Sequence, residues 1–133
     1  MNKLQELVQF TKTLNLLVVE DNEESREQFI NMLSSLFDNI TSAVNGLDGL
    51  EKFQEQKFDL IISDINMPKM NGLEMIEKIR EVDKDITVMV VSAHNEEHFK
   101  SEAQTFHVDN YLFKPINLPQ LIDALTQMME KVK

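Results

Sequence analysis

Residues Leu60 to Gly72 read L-I-I-S-D-I-N-M-P-K-M-N-G: an apolar run, a carboxylate at Asp64, and a turn built around Pro68 and closed by Gly72. A short aliphatic run bounded by turn residues is the pattern of a buried strand. Taken alone, an acid at the tip of such a strand is a helix cap or a turn former. What decides its meaning is which other groups the chain brings to the same place.

Similar runs recur at Leu14–Val19, Ile40–Val44, Thr87–Val91 and Tyr111–Phe113, each followed by a stretch with apolar residues at helical spacing. Phe29, Met32, Leu33 and Leu36 fall on one face of the first such stretch, and Met75, Ile76 and Ile79 on one face of the third. Three of the runs are nearly all apolar, as parallel strands covered on both sides by helices must be. Strand and helix alternate five times, which predicts an α/β fold: a single doubly wound (βα)5 domain with a five-stranded parallel sheet. Residues 1–13 carry Leu4, Leu7 and Val8 at roughly helical spacing. They read as a linker or N-terminal extension more readily than as a packed helix.

At 133 residues with 42% hydrophobic content, the chain suffices for one domain with a real core. A formal net charge of -10 argues against binding nucleic-acid phosphates or an anionic membrane. The absence of cysteine excludes disulfides and thiolate metal sites. No segment approaches the roughly 18 apolar residues of a membrane span, and the N-terminus lacks a signal-peptide core, so a cytoplasmic location is expected.

Ligands of open parallel sheets bind at the carboxyl ends of the strands. Here those ends are polar: Glu20 and Asp21 follow the first strand, Asp64 ends the third, Ser92 the fourth, and Lys114 follows the fifth. If the first and third strands are neighbours, their acids repel, by roughly 4 kcal/mol for two unit charges ~4 Å apart at a surface-like dielectric. A cation is therefore expected, and oxygen ligands without His or Cys select a hard ion such as Mg²⁺, which also tolerates a phosphate oxygen. Lys114 then serves as a point charge for an anion near Asp64.

The set E-D-N at 20–22, D-I-N-M-P-K-M-N-G at 64–72, S-A at 92–93 and Y-L-F-K-P at 111–115 closely resembles the receiver domain of bacterial two-component response regulators, of the chemotaxis-receiver-like kind. The resemblance covers about residues 14–132 and implies a receiver domain over 14–133, with the flavodoxin-like strand order 2-1-3-4-5. It implies that Asp64 accepts a phosphoryl group from a phosphohistidine on a sensor histidine kinase or phosphotransfer protein. Asp21 and Asp64 would bind Mg²⁺ directly, with Mn²⁺ as a substitute, Glu20 would act through a metal-bound water, and the backbone carbonyl of Asn66 would complete the protein ligands. Ser92 and Lys114 would hold phosphoryl oxygens, Tyr111 would swing inward when Ser92 moves, and the Lys114–Pro115 peptide would be cis. The face formed by the helix after the fourth strand, the fifth strand and the last helix would meet a downstream protein, an output domain or a second copy. With no output domain after Lys133, the sequence suits a single-domain regulator or a piece of a longer protein. Where the family often has Gly-Ala, this chain has His107-Val108, and His accepts a left-handed backbone less readily than Gly.

Blander roles remain for several residues. Asp21, Asn22, Glu23 and Glu24 also suit a helix N-terminus, and Met67, Pro68, Met70 and Gly72 are loop-shaping. His94, His98 and His107 show no metal-ligand pattern and read as solvated positions, His94 lying near the mouth of the site. The eight methionines suit core filling or a forgiving partner surface. A phosphohydrolase of the haloacid dehalogenase type would need an acid where Asn66 stands. A flavodoxin would need a hydroxyl-rich phosphate loop where Glu20-Asp21-Asn22-Glu23-Glu24 stands. A pseudo-receiver would need a gap in the acidic set. The expectation is a phosphoacceptor signalling domain, not a classical enzyme.

Overall fold

The computed structural model describes residues 1–93 and 100–132. In chain order the elements are α1 (Lys3–Thr11), β1 (Asn15–Val19), α2 (Glu23–Leu33), β2 (Asn39–Ala43), α3 (Gly46–Glu55), β3 (Leu60–Asp64), α4 (Gly72–Val82), β4 (Thr87–Ser92), α5 (Lys100–Thr105), β5 (Asn110–Phe113) and α6 (Leu118–Val132). The strands form one parallel sheet in the order β2-β1-β3-β4-β5. This is the flavodoxin-like order, and each expected strand is present to within a residue or two.

Alternation along the strands builds two cores. Leu16, Val18, Leu60, Ile62, Met89 and Val91 face α1, α2 and α6, where Leu33, Leu121, Leu125 and Met129 meet them. Leu17, Val19, Ile61, Val88 and Val90 face the other side, against Met75, Ile76 and Ile79 of α4 and Ala103 of α5. Burial on both faces is why these strands read as continuous apolar runs. Asparagine starts the helices repeatedly: Asn2, Asn22, Asn45 and Asn71 each accept a backbone N–H three residues on, and Asn71 completes a capping box with Glu74.

Residues 3–11 correct the linker reading. They form a helix whose Leu7 is 1% exposed and belongs to the same buried core cluster as Leu33, Leu121, Leu125 and Met128. Thr11 donates its hydroxyl to the Leu36 carbonyl, and Lys3 and Lys12 pair with Glu130 and Asp38. The first helical stretch is also shorter than its apolar pattern, since α2 ends at Leu33 and Leu36 is buried beyond it.

Arg80, on α4, ties down the far end of the sheet. Its Nε donates to the Phe106 carbonyl at 3.0 Å, Nη2 to the His107 carbonyl at 2.8 Å and Nη1 to the Ile86 carbonyl at 2.6 Å. His107 adopts the left-handed conformation expected of that position, with φ 58°.

Because Leu7 is buried within the core cluster, Leu7→Ala should lower stability by about 2–4 kcal/mol. Urea denaturation checks this through a lower midpoint at unchanged slope; an unpacked linker would leave the midpoint where it was.

Candidate functional site

Register brings the polar strand ends together. Val19 of β1 pairs with Ser63 of β3, so Glu20 and Asp64 follow side by side; Asp64 pairs with Val91, so Ser92 comes next; Ser92 pairs with Phe113, so Lys114 follows. One carboxylate oxygen from each of Glu20, Asp21 and Asp64 lies within 4.8 Å of the others. Glu20 and Asp64 are each 7% exposed, whereas Asp21 is open to solvent.

The Lys114 ammonium sits among these acids, donating to Asp64 Oδ2 at 3.0 Å and to Glu20 Oε1 at 3.2 Å. Its burial would lower its pKa, but the hydrogen bond and charge of Asp64, and then those of Glu20, outweigh that and hold it above the ordinary value. Asp21 moves upward too, first through desolvation and then through its hydrogen bond to Glu20 and the repulsion of that carboxylate.

The two buried acids are fixed by backbone. Glu20 accepts from the Asn22 N–H at 3.1 Å through Oε2, and its carbonyl receives Arg26 Nη1 at 2.9 Å. Asp64 Oδ1 accepts from the Ile65 N–H at 2.8 Å. The loop after β3 is held by the Gly72 N–H on the Ile65 carbonyl and the Gly46 N–H on the Met70 carbonyl. A Cβ at Gly72 would come 2.1 Å from the Asp64 carbonyl oxygen, so only glycine allows this approach. Lys69 turns the loop with φ 68°.

The remaining expected residues are placed less centrally. Ser92 is fully buried, with its hydroxyl on the Ala93 carbonyl at 3.2 Å. Tyr111 is half-buried on β5, packed on the α3–α5 side of the sheet with its ring 5.2 Å from that of Phe113. Asn66 lies in the loop with an exposed side chain, and the Lys114–Pro115 peptide is cis. His94 and His98 fall outside the described residues. Sequence reasoning missed Arg26 and Ser63, whose bonds go to backbone carbonyls; the one signal for Ser63 was a hydroxyl inside an aliphatic run.

The donor set is all hard oxygen, clustered and net negative, and it fits a divalent ion of the Mg²⁺ kind. Fold and site thus define a doubly wound α/β domain with an acidic crevice at its strand ends. The chain belongs to the response regulator receiver domain family, whose profile matches residues 16–126. It is a receiver domain of two-component signalling, of the chemotaxis-receiver-like kind. It is 32% identical over 118 residues to the chemotaxis protein CheY of Treponema pallidum, covering 86% of this chain and 82% of that one. It is 27% identical over 126 residues to the sensor protein EvgS of Escherichia coli, covering 95% of this chain and 10% of the sensor. Among solved structures, the N-terminal domain of a Wolinella succinogenes protein superposes with a TM-score of 0.81 at 33% identity, covering 90% of this chain and 98% of that one. A receiver domain from Clostridium thermocellum gives 0.82 at 21% identity, covering 90% and 96%, and speaks for the fold alone. Among the described residues, no helix is long and apolar enough to cross a membrane.

The raised Asp21 pKa has a definite sign. A carboxyl whose folded pKa exceeds its ordinary 3.8 opposes folding once ionised, so its cost appears as pH rises through that window and is absent below it. Without divalent ions, Asp21→Asn should therefore melt higher than the parent at pH 7, by roughly 1–2 °C given the solvent screening at this exposed site, and the gain should vanish below about pH 3.8. Saturating Mg²⁺ should reverse the order. Lys114 contributes in the opposite sense: its stabilisation holds below 10.5 and fades as pH climbs through its raised value. Thermal melts across pH, with EDTA or Mg²⁺, read both.

Proposed function

We propose that Asp64 is the phosphoryl acceptor of a two-component pathway, taking the group from a phosphohistidine on a sensor histidine kinase or phosphotransfer protein. The observation that carries this reading is the Lys114 ammonium spanning Asp64 and Glu20 at the tips of adjacent strands. An Asp64 oxygen attacks phosphorus, the P–N bond to the imidazole breaks, and the ring leaves with its electron pair. Ile65 N–H holds the carboxylate in place, and Lys114 then follows the new negative charge onto a phosphoryl oxygen.

Asp21 and Asp64, the Asn66 carbonyl and, through water, Glu20 would hold Mg²⁺ or Mn²⁺, which when bound neutralises charge shared by acceptor and donor. Ser92, released from the Ala93 carbonyl, donates to a second phosphoryl oxygen. The end of β4 shifts with it, and Tyr111 turns into the vacated space. The face of α5, β5 and α6 changes in consequence, which is where this reading places the downstream protein, output domain or second copy. Residues 14–133 form the receiver unit in this reading, which works in the cytoplasm.

With acetyl phosphate and Mg²⁺, intact-mass measurement should find one phosphoryl group on the parent and none on Asp64→Asn; full labelling of that variant would move the acceptor elsewhere. Labelling should also fail in EDTA.

The relay through Ser92 has its own readout. Beryllofluoride, a stable phosphoryl mimic, should shift NMR resonances from the surroundings of Asp64 out to Tyr111 and the segment 96–106, part of which lies outside the described residues. In Ser92→Ala the distant shifts should shrink by at least half while those beside Asp64 persist. Undiminished distant shifts would remove Ser92 from the relay.

A further inference from the structure

We propose that Ser63 is a positioning residue for the phosphoryl acceptor, an inference that rests on the reading of Asp64 as that acceptor. Ser63 is anomalous where it stands. By strand alternation its side chain shares a face of β3 with Ile61, and Ile61 and Ile65 on either side of it belong to an apolar cluster with Leu17, Val19, Val88, Val90 and α4 residues among others. The residue is fully buried. A hydroxyl in such surroundings costs free energy unless it is paired, and an aliphatic side chain would fill the place without that demand.

Its hydrogen bond explains the choice. Ser63 Oγ donates to the carbonyl of Asp64 at 2.7 Å. That carbonyl and the N–H of Ile65 belong to one peptide unit, which is planar and stiff. The other end of the same unit donates to Asp64 Oδ1 at 2.8 Å. Gripping the oxygen end of the plane therefore sets the direction of its N–H end, which in turn sets the carboxylate, leaving Oδ2 to Lys114 at 3.0 Å.

Gly72 closes the same peptide from the loop side. Its own N–H is bonded to the Ile65 carbonyl, and a Cβ on it would fall 3.0 Å from Ser63 Oγ and 2.1 Å from the Asp64 carbonyl oxygen. The carbonyl end of the plane thus accepts from a hydroxyl and leaves beside it room only for a glycine. Ser63 never touches the incoming phosphoryl group; it acts through the backbone on the nucleophile's orientation. A misplacement of ~1 Å at a reacting centre can cost about a hundredfold in rate, so partial loosening of this plane should cost about tenfold.

The test uses the full chain with Mg²⁺ and acetyl phosphate as donor, comparing the parent with Ser63→Ala, which removes the hydroxyl, and Ser63→Thr, which retains it. Ser63→Cys, close in size but a poor donor, carries the same expectation should the alanine variant not fold. Two quantities are read: the phosphorylation rate at saturating donor, and the Ile65 amide proton shift in the metal-free, unmodified protein. The expected result for Ser63→Ala is about a tenfold slower rate with the Ile65 amide displaced upfield, both restored by Ser63→Thr, while the urea midpoint moves too little to account for the rate. A labelled parent with Ser63→Ala unchanged in rate and in the Ile65 amide overturns the proposal alone. A rate loss that simply tracks the unfolded fraction also overturns it, since that is a folding effect. A parent that takes no phosphoryl group overturns the reading of Asp64, and this proposal falls with it.

Discussion

Like charges forced together by strand order are the constraint from which the site follows. A parallel sheet that runs β2-β1-β3-β4-β5 sets β1 beside β3, with Glu20 just after the one and Asp64 at the end of the other. At a surface-like dielectric such a pair costs roughly 4 kcal/mol at ~4 Å separation. Lys114, which follows β5, offsets this by placing its ammonium on both carboxylates. An ammonium suits the position because it is a point charge on a flexible stem and can follow negative charge as that charge moves. Arg26 adds a second cation but commits it to the Glu20 backbone.

The loop after β3 converts this electrostatic arrangement into a fixed geometry. Glycines at 46 and 72 let two backbone segments approach more closely than any side chain permits, and Asn71 anchors α4 at the point where the loop ends. The Asp64 carboxylate is therefore held on one side by a main-chain N–H, that of Ile65. Lys114 then takes the remaining carboxylate oxygen, Oδ2, at 3.0 Å.

Strands and acidic tips were legible because both are local signals: β-branched runs mark the strands, and a charged residue ending such a run is conspicuous. Lys114 was legible for the same reason. Helix α1 was not, since Leu4, Leu7 and Val8 form too short a pattern to decide between coil and helix. What secures it is distant: a core cluster that Leu7 shares with residues of α2 and α6, and bonds to the Leu36 carbonyl and to Glu130. Asn22 was visible as a cap, and the structure uses it so, while its N–H also holds Glu20. The grips of Arg26, Ser63 and Arg80 were hidden because their partners are carbonyls, which every residue possesses and no sequence pattern advertises.

That last property bears on how the chain can vary. Arg80 secures the end of α5 and the start of β4 by holding the oxygens of Ile86, Phe106 and His107, without reference to what their side chains are. A clamp of this kind is blind to residue type. The exposed position 107 can thus change its side chain while the frame beneath stays in register, provided that whatever replaces His107 accepts a left-handed backbone; Phe106, packed against the core, and Asp109, 3.8 Å from Arg80, are less free to vary.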